Sequence, residues 1–121
     1  MKVLLINGSC NINGCTYTAL DEISRTLNNQ GIETEIIQLG SSPYRDCIGC
    51  NNCRKTEDSK CVFDDVVNQI IEKAKTSDGF IFGSPVYYAH PSGRLLSVMD
   101  RVFYAGGKHF AYKPAAAIVS A

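Results

Sequence analysis

The sequence predicts an α/β domain built as a doubly wound parallel sheet. Short apolar runs alternate with amphipathic stretches in the order βαβαβαβ, and the runs are apolar enough to be covered on both faces. Two of them, Lys2 to Asn7 and Gly79 to Gly83, are followed at once by small polar loops, Gly8 to Gly14 and Ser84 to Tyr88. At 121 residues and 45% apolar content the chain reads as one domain, residues 1–121.

The first strand, KVLLIN, leads through its loop into a helix expected from Thr16 to Gln30, with Leu20, Ile23 and Leu27 on a single buried stripe. Asn28, Asn29 and Gly31 end that helix, and Glu33 to Leu39 forms a second strand suited to a sheet edge. Periodicity is then lost from Gly40 to Lys60. Residues 40–63 read as a cysteine-rich loop insertion, functional rather than architectural. Asp64 is expected to cap a second helix with Val67, Ile70, Ile71 and Ala74 on its inner face. A third helix is expected from Ser92 to Tyr104, with Leu95, Met99, Val102 and Phe103 inward and Gly106 and Gly107 as the stop. Ala115 to Ser120 makes a fourth strand.

The alternation implies right-handed crossovers with helices on both faces, and the expected strand order is the flavodoxin-like one, 2-1-3-4. Ligands are then expected beyond the strands' carboxyl ends, at the switch point between the first and third strands. Both polar loops lie there. The fourth strand reads as buried on both faces, yet Ala121 follows it directly. The expectation is a domain truncated before a fifth strand, or one covered by a second subunit.

Twelve basic residues balance twelve acidic ones, so bulk charge gives no footprint for nucleic acid or a membrane surface. No apolar run approaches the ~20 residues of a membrane span, and the N-terminus lacks the features of a signal peptide. A cytoplasmic location is expected. In a reducing compartment, six cysteines point to metal, cluster or redox chemistry, or to unpaired thiols, before disulfides.

The first loop is a candidate phosphate cradle, because a helix N-terminus offers unpaired N–H groups and the positive end of the helix dipole. Ser9, Asn11, Asn13 and Thr16 add side-chain donors around Gly14 and Cys15. Gly8 and Gly14 lack the G-x-G-x-x-G spacing of a dinucleotide fingerprint, and Gly14-Cys15-Thr16 lacks the lysine of a Walker loop. Cys10 could be a phosphatase nucleophile only with an arginine six residues on, where Thr16 stands. A cradle without a cation suits a phosphate monoester. Pro85, Val86, Tyr87 and Tyr88 add a rigid turn and aromatic faces, so a flat ring system with a phosphate tail, such as flavin mononucleotide (FMN), would satisfy both loops. The alternative is that the first loop is only a turn and the tyrosines only packing residues.

The segments LLINGS, GCTYTAL, GSPVYY and MDR resemble the NAD(P)H-dependent FMN reductase and multimeric-flavodoxin family, over essentially the whole chain. The resemblance implies a flavodoxin-like fold, noncovalent FMN, and a homodimer or homotetramer that reduces flavins, quinones or other acceptors with NAD(P)H. By position, it implies that Ser9, Asn11, Asn13, Gly14, Cys15 and Thr16 hold the phosphate, and that Ser84 to Tyr88 line the isoalloxazine. It also implies that Ser120 leads into a third flavin loop. Cys10 and Cys15 depart from the family's usual proline and asparagine.

Cys47, Cys50, Cys53 and Cys61 form the pattern C-x2-C-x2-C-x7-C. Such spacing resembles that of the iron–sulfur flavoproteins, a branch of the same fold carrying a four-iron cluster. A zinc site and free thiols remain open alternatives. His90 adjoins the second loop and could touch a ligand but reads as solvated, and Asp100 and Arg101 read as structural, so no side chain is assigned as catalytic. Three functions stay open: an FMN-dependent oxidoreductase, an electron carrier with flavin and cluster serving a redox-protein partner, and a flavin-free zinc module.

Overall fold

A computed structural model describes residues 1–121. Its elements run β1 (Lys2–Asn7), α1 (Cys15–Asn29), β2 (Glu33–Gln38), α2 (Asn52–Lys55), α3 (Val66–Ala74), β3 (Gly79–Tyr87), β4 (His90–Pro91), α4 (Gly93–Gly106) and β5 (Ala115–Ser120). A 3-10 turn, Gly107–His109, follows α4. β1 pairs parallel with β2, Lys2 opposite Glu33, and with β3, Val3 opposite Gly79. β5 pairs parallel with β3 from Phe80 opposite Ala115 to Pro85 opposite Ser120. The parallel order is therefore β2-β1-β3-β5, the expected one, since β5 is the fourth strand the sequence predicts.

Strand alternation divides the apolar side chains between two layers. Leu4, Ile6, Phe80 and Phe82 join Val67, Ile70 and Ile71 of α3 and Leu95, Val98 and Val102 of α4 in one buried cluster. Each fully buried side chain of this kind contributes roughly 1.5–3 kcal/mol. α1 covers the opposite face, and it can approach closely only because β3 carries Gly83. A Cβ there would lie 2.8 Å from Leu20 Cδ1 and 3.0 Å from Thr16 Cγ2. That contact fixes where α1 begins relative to the sheet.

Several expectations are corrected. The segment after β2 is not wholly irregular, because α2 forms inside it. β3 does not stop at Gly83: it continues to Tyr87 and turns back as a two-residue hairpin into β4, Val86 opposite Pro91. The cap of α3 is Asp65, whose carboxylate accepts from Val67 N at 3.0 Å, while Asp64 accepts from the Asn68 side chain. Phe103 is 40% exposed, and Val98 and Arg101 take the inward positions on α4. The buried line of α1 is Thr16, Leu20 and Ser24, a strict four-residue spacing, with Ile23 and Leu27 at its margin. β5 is mostly exposed rather than buried on both faces. No helix is long and apolar enough to cross a membrane.

Glu35 of β2 is held by Lys2 at 3.1 Å and by Lys73 of α3 at 2.5 Å. The hydrogen bond from Lys73, with that from Lys2, draws its pKa below the ordinary value against a smaller opposing effect of burial. A carboxylate with a depressed folded pKa stabilises fully above its unfolded pKa and loses that contribution as pH falls through the folded one. Glu35→Gln should therefore flatten the acid limb of stability below about pH 4.3. Urea midpoints measured from pH 3 to pH 7 check this.

Candidate functional site

The end of β1 carries a buried polar residue that organises the loop after it. Asn7 is 0% exposed: its amide donates to Gln38 Oε1 at 2.6 Å and its Oδ1 accepts from Ser9 N at 3.0 Å. Ser9 Oγ accepts from Asn11 N, Asn11 Oδ1 accepts from Asn13 N, and Asn11 O accepts from Gly14 N. These successive side-chain turns deliver the chain to α1. Gly14 is the N-cap and offers no side-chain acceptor, and no acidic residue sits in the first turn. The first N–H groups of α1 have no partner within the helix, and nothing offsets its positive end.

Of the residues expected here, Cys10, Asn11, Asn13 and Cys15 are exposed, Gly14 is half-buried, and Ser9 and Thr16 are buried. Ser9 keeps its O–H free to donate while its oxygen accepts. The Thr16 and Ser120 hydroxyls are 2.8 Å apart, which brings the end of β5 to the start of α1.

The hairpin lies against the same loop. Gly8 N donates to Gly83 O at 2.8 Å, and Cys10 Sγ is 3.7 Å from the Tyr87 hydroxyl. That contact with Cys10 raises the Tyr87 pKa above its ordinary value, with Arg94 opposing the shift. Tyr87 thus keeps its proton at neutral pH. Val86, Tyr87 and Tyr88 are exposed and Pro85 is half-buried; Tyr88 reaches 99% exposure at the tip. Tyr88 and Ala89 both sit in the left-handed region, at φ 49° and 67°. Two such residues make a tight hairpin turn, and without glycine or asparagine each costs about 1 kcal/mol or more.

Ser84 occupies a different place from the rest of its segment. Its side chain is buried, donating to Pro85 O and accepting from Ser92 N. Ser92 in turn caps α4, accepting from Leu95 N at 3.2 Å and donating to Gly8 O at 2.8 Å. Asn7, Gln38 and Ser92 are thus positioning residues that sequence reasoning did not assign to the site. A serine ahead of an amphipathic helix signals the cap; nothing local signals its bond to Gly8. Ser92→Ala should cost about 1–2 kcal/mol in urea denaturation, through loss of the cap and an unpaired buried carbonyl.

The cysteine segment forms a second site. Cys47, Cys50, Cys53 and Cys61 line one pocket with Ile48, Phe63, Arg101 and Tyr104. All six cysteines are free thiols. Asn51, Glu57 and Ser59, none of them glycine, adopt positive φ in this segment. Cys47 Sγ accepts from Gly49 N, and Cys61 Sγ accepts from Arg101 Nε at 3.3 Å. No three thiol, imidazole or carboxylate groups converge on one point. The four sulfurs share an apolar-walled pocket without being drawn to a common centre. By chemistry alone, four cysteine thiols lining one pocket are the donor type that a thiophilic metal group takes. His90 is exposed, and His109 Nε2 is 3.1 Å from Ser59 Oγ. Burial, with the charges of Lys108, Lys75 and Lys113, lowers its pKa.

A parallel sheet in this order, with an open helix terminus and an aromatic hairpin at its switch point, defines a flavodoxin-like α/β protein. The chain belongs to the family described as NADPH-dependent FMN reductase, whose model matches residues 1–121. It is 43% identical over 101 residues to an iron–sulfur flavoprotein of Methanocaldococcus jannaschii, covering 84% of this chain and 51% of the relative. An iron–sulfur flavoprotein of Archaeoglobus fulgidus is 33% identical over 101 residues, with coverage of 84% and 48%. The chain thus spans about half the length of these relatives. In fold it is similar to the NAD(P)H:quinone oxidoreductase from Methanothermobacter marburgensis: TM-score 0.75, 16% identity, coverage of 98% of this chain and 63% of that one.

Proposed function

We propose that the protein is an FMN-dependent oxidoreductase that takes electrons from NAD(P)H and passes them to a flavin, quinone or other acceptor. The observation that carries this reading is the uncompensated N-terminus of α1 beside the Tyr87–Tyr88 hairpin. The backbone N–H groups of Cys15 and Thr16, the Ser9 hydroxyl and the Asn11 and Asn13 amides would hold the phosphate. Pro85 to Tyr88 would line the ring system, with Ser84 and Ser92 fixing the hairpin from below. Bound FMN supplies the acceptance and storage of hydride. The chain's own residues bind, orient and exclude water, and Tyr87 offers a hydroxyl that stays protonated. The active form on this reading is a cytoplasmic homodimer or homotetramer.

The cysteine pocket favours an added role. Cys47, Cys50, Cys53 and Cys61 would ligate a four-iron cluster, making the protein an electron carrier between FMN and a redox partner. Anaerobic reconstitution with FMN, iron and sulfide separates the readings. Flavin bands bleached by NADPH or NADH support the oxidoreductase. A broad shoulder bleached only by dithionite, with a flavin inert to both nucleotides, supports the carrier. A colourless protein that binds zinc contradicts both.

A further inference from the structure

Arg101 is the most buried charge in the molecule, with its side chain 1% exposed. Guanidinium carries five N–H donors, and here all five are used. Nε donates to Cys61 Sγ at 3.3 Å. Nη1 donates to Arg45 O at 3.3 Å and Asp65 Oδ2 at 2.7 Å; Nη2 donates to Phe63 O at 2.9 Å and Asp65 Oδ1 at 3.0 Å. Two of these partners, Arg45 and Phe63, flank the cysteine segment at opposite ends. The Arg45 and Arg101 guanidinium groups both lie near the Phe63 ring, 4.8 and 5.4 Å from its centroid. Arg101 itself stands on α4 between Val98 and Val102 in the main core.

The Asp65 pair and the two carbonyls are enough to explain a buried structural arginine. They do not explain why Nε–H is directed at a sulfur that lines the thiol pocket. We propose that Arg101 is a positioning residue for a sulfur-ligated metal group, holding the Cys61 sulfur and raising the reduction potential of the group it ligates. This inference rests on the cluster reading above. Hydrogen bonds to ligand sulfur and a nearby positive charge both favour the more negative, reduced state. On reduction one electron arrives from an external reductant, and no bond to Arg101 forms or breaks.

The test is a potentiometric titration of the anaerobically reconstituted full chain, with dithionite as reductant and iron and acid-labile sulfide assayed alongside. Arg101→Lys keeps the charge but loses the fork and the Nε–H bond to sulfur. Its potential should fall by at least a tenfold change in the one-electron equilibrium constant, about 59 mV. Asp65→Asn keeps a good helix cap and removes the charge that neutralises Arg101, so its potential should rise. A purely structural role predicts neither shift nor their opposite signs. Should Arg101→Lys fail to fold, Asp65→Asn decides alone. Unchanged potential in the folded variants overturns the inference and leaves the cluster reading intact. A wild-type chain that takes up no iron overturns both.

Discussion

Asn13→Asp should weaken FMN binding by about 30-fold while leaving riboflavin binding unchanged and making the apoprotein slightly more stable. The three effects come from one charge. Asn13 is exposed and immediately precedes the Gly14 cap of α1. A carboxylate there offsets the helix dipole and adds about 0.3–1 kcal/mol of stability. The same carboxylate would stand one residue before the helix N-terminus proposed to hold the phosphate. At an effective dielectric of ~20, a unit charge ~6 Å from a phosphate dianion is repelled by roughly 5 kcal/mol, which solvent screening reduces to about 2 kcal/mol. Opposite signs for stability and affinity separate this mechanism from damage to the fold. Quenching of flavin fluorescence gives the affinities and urea denaturation gives the stability. Equal losses for FMN and riboflavin would mean that the phosphate lies elsewhere.

Cys50→Ser should reduce iron incorporation ~10-fold or more while leaving FMN stoichiometry unchanged. Cys50 is the exposed member of the four, so its replacement disturbs packing least. The cysteine pocket draws on residues 46–63 and 101–105, and the flavin-side loops on residues 8–16 and 84–92, so Cys50 lies outside the latter. Loss of the broad visible absorbance with flavin retained is the expected outcome. Iron content equal to wild type would remove Cys50 from the ligand set.

The strand order and both polar loops were legible because apolar runs, helical periodicity and small polar connections recur in a regular alternation. The hairpin was not. Its turn is Tyr88-Ala89, and left-handed conformations at those residues contradict local preference, so only the surrounding contacts impose it. Asp64 and Asp65 are both acceptable caps in sequence; the Arg101 guanidinium selects Asp65 by fixing its carboxylate. Phe103 looked inward because it falls on the helical stripe, yet it sits at the rim, 5.9 Å from the Phe82 ring and 5.1 Å from Phe110. Ser92 was legible as a helix start but not as the residue that binds Gly8. A hydrogen bond between residues 84 positions apart leaves no local trace. Arg101 read as structural, and its five bonds agree, but its bond to Cys61 depends on tertiary contact.

On this reading the N-terminus of α1 is a phosphate cradle for FMN. Parallel fluorescence titrations of the full chain with FMN and with riboflavin test it most directly, because the two ligands differ only in the phosphate. Two or three charge-assisted hydrogen bonds predict a preference for FMN of about 100-fold or more. Equal affinity for the two flavins, or binding of neither, would contradict it.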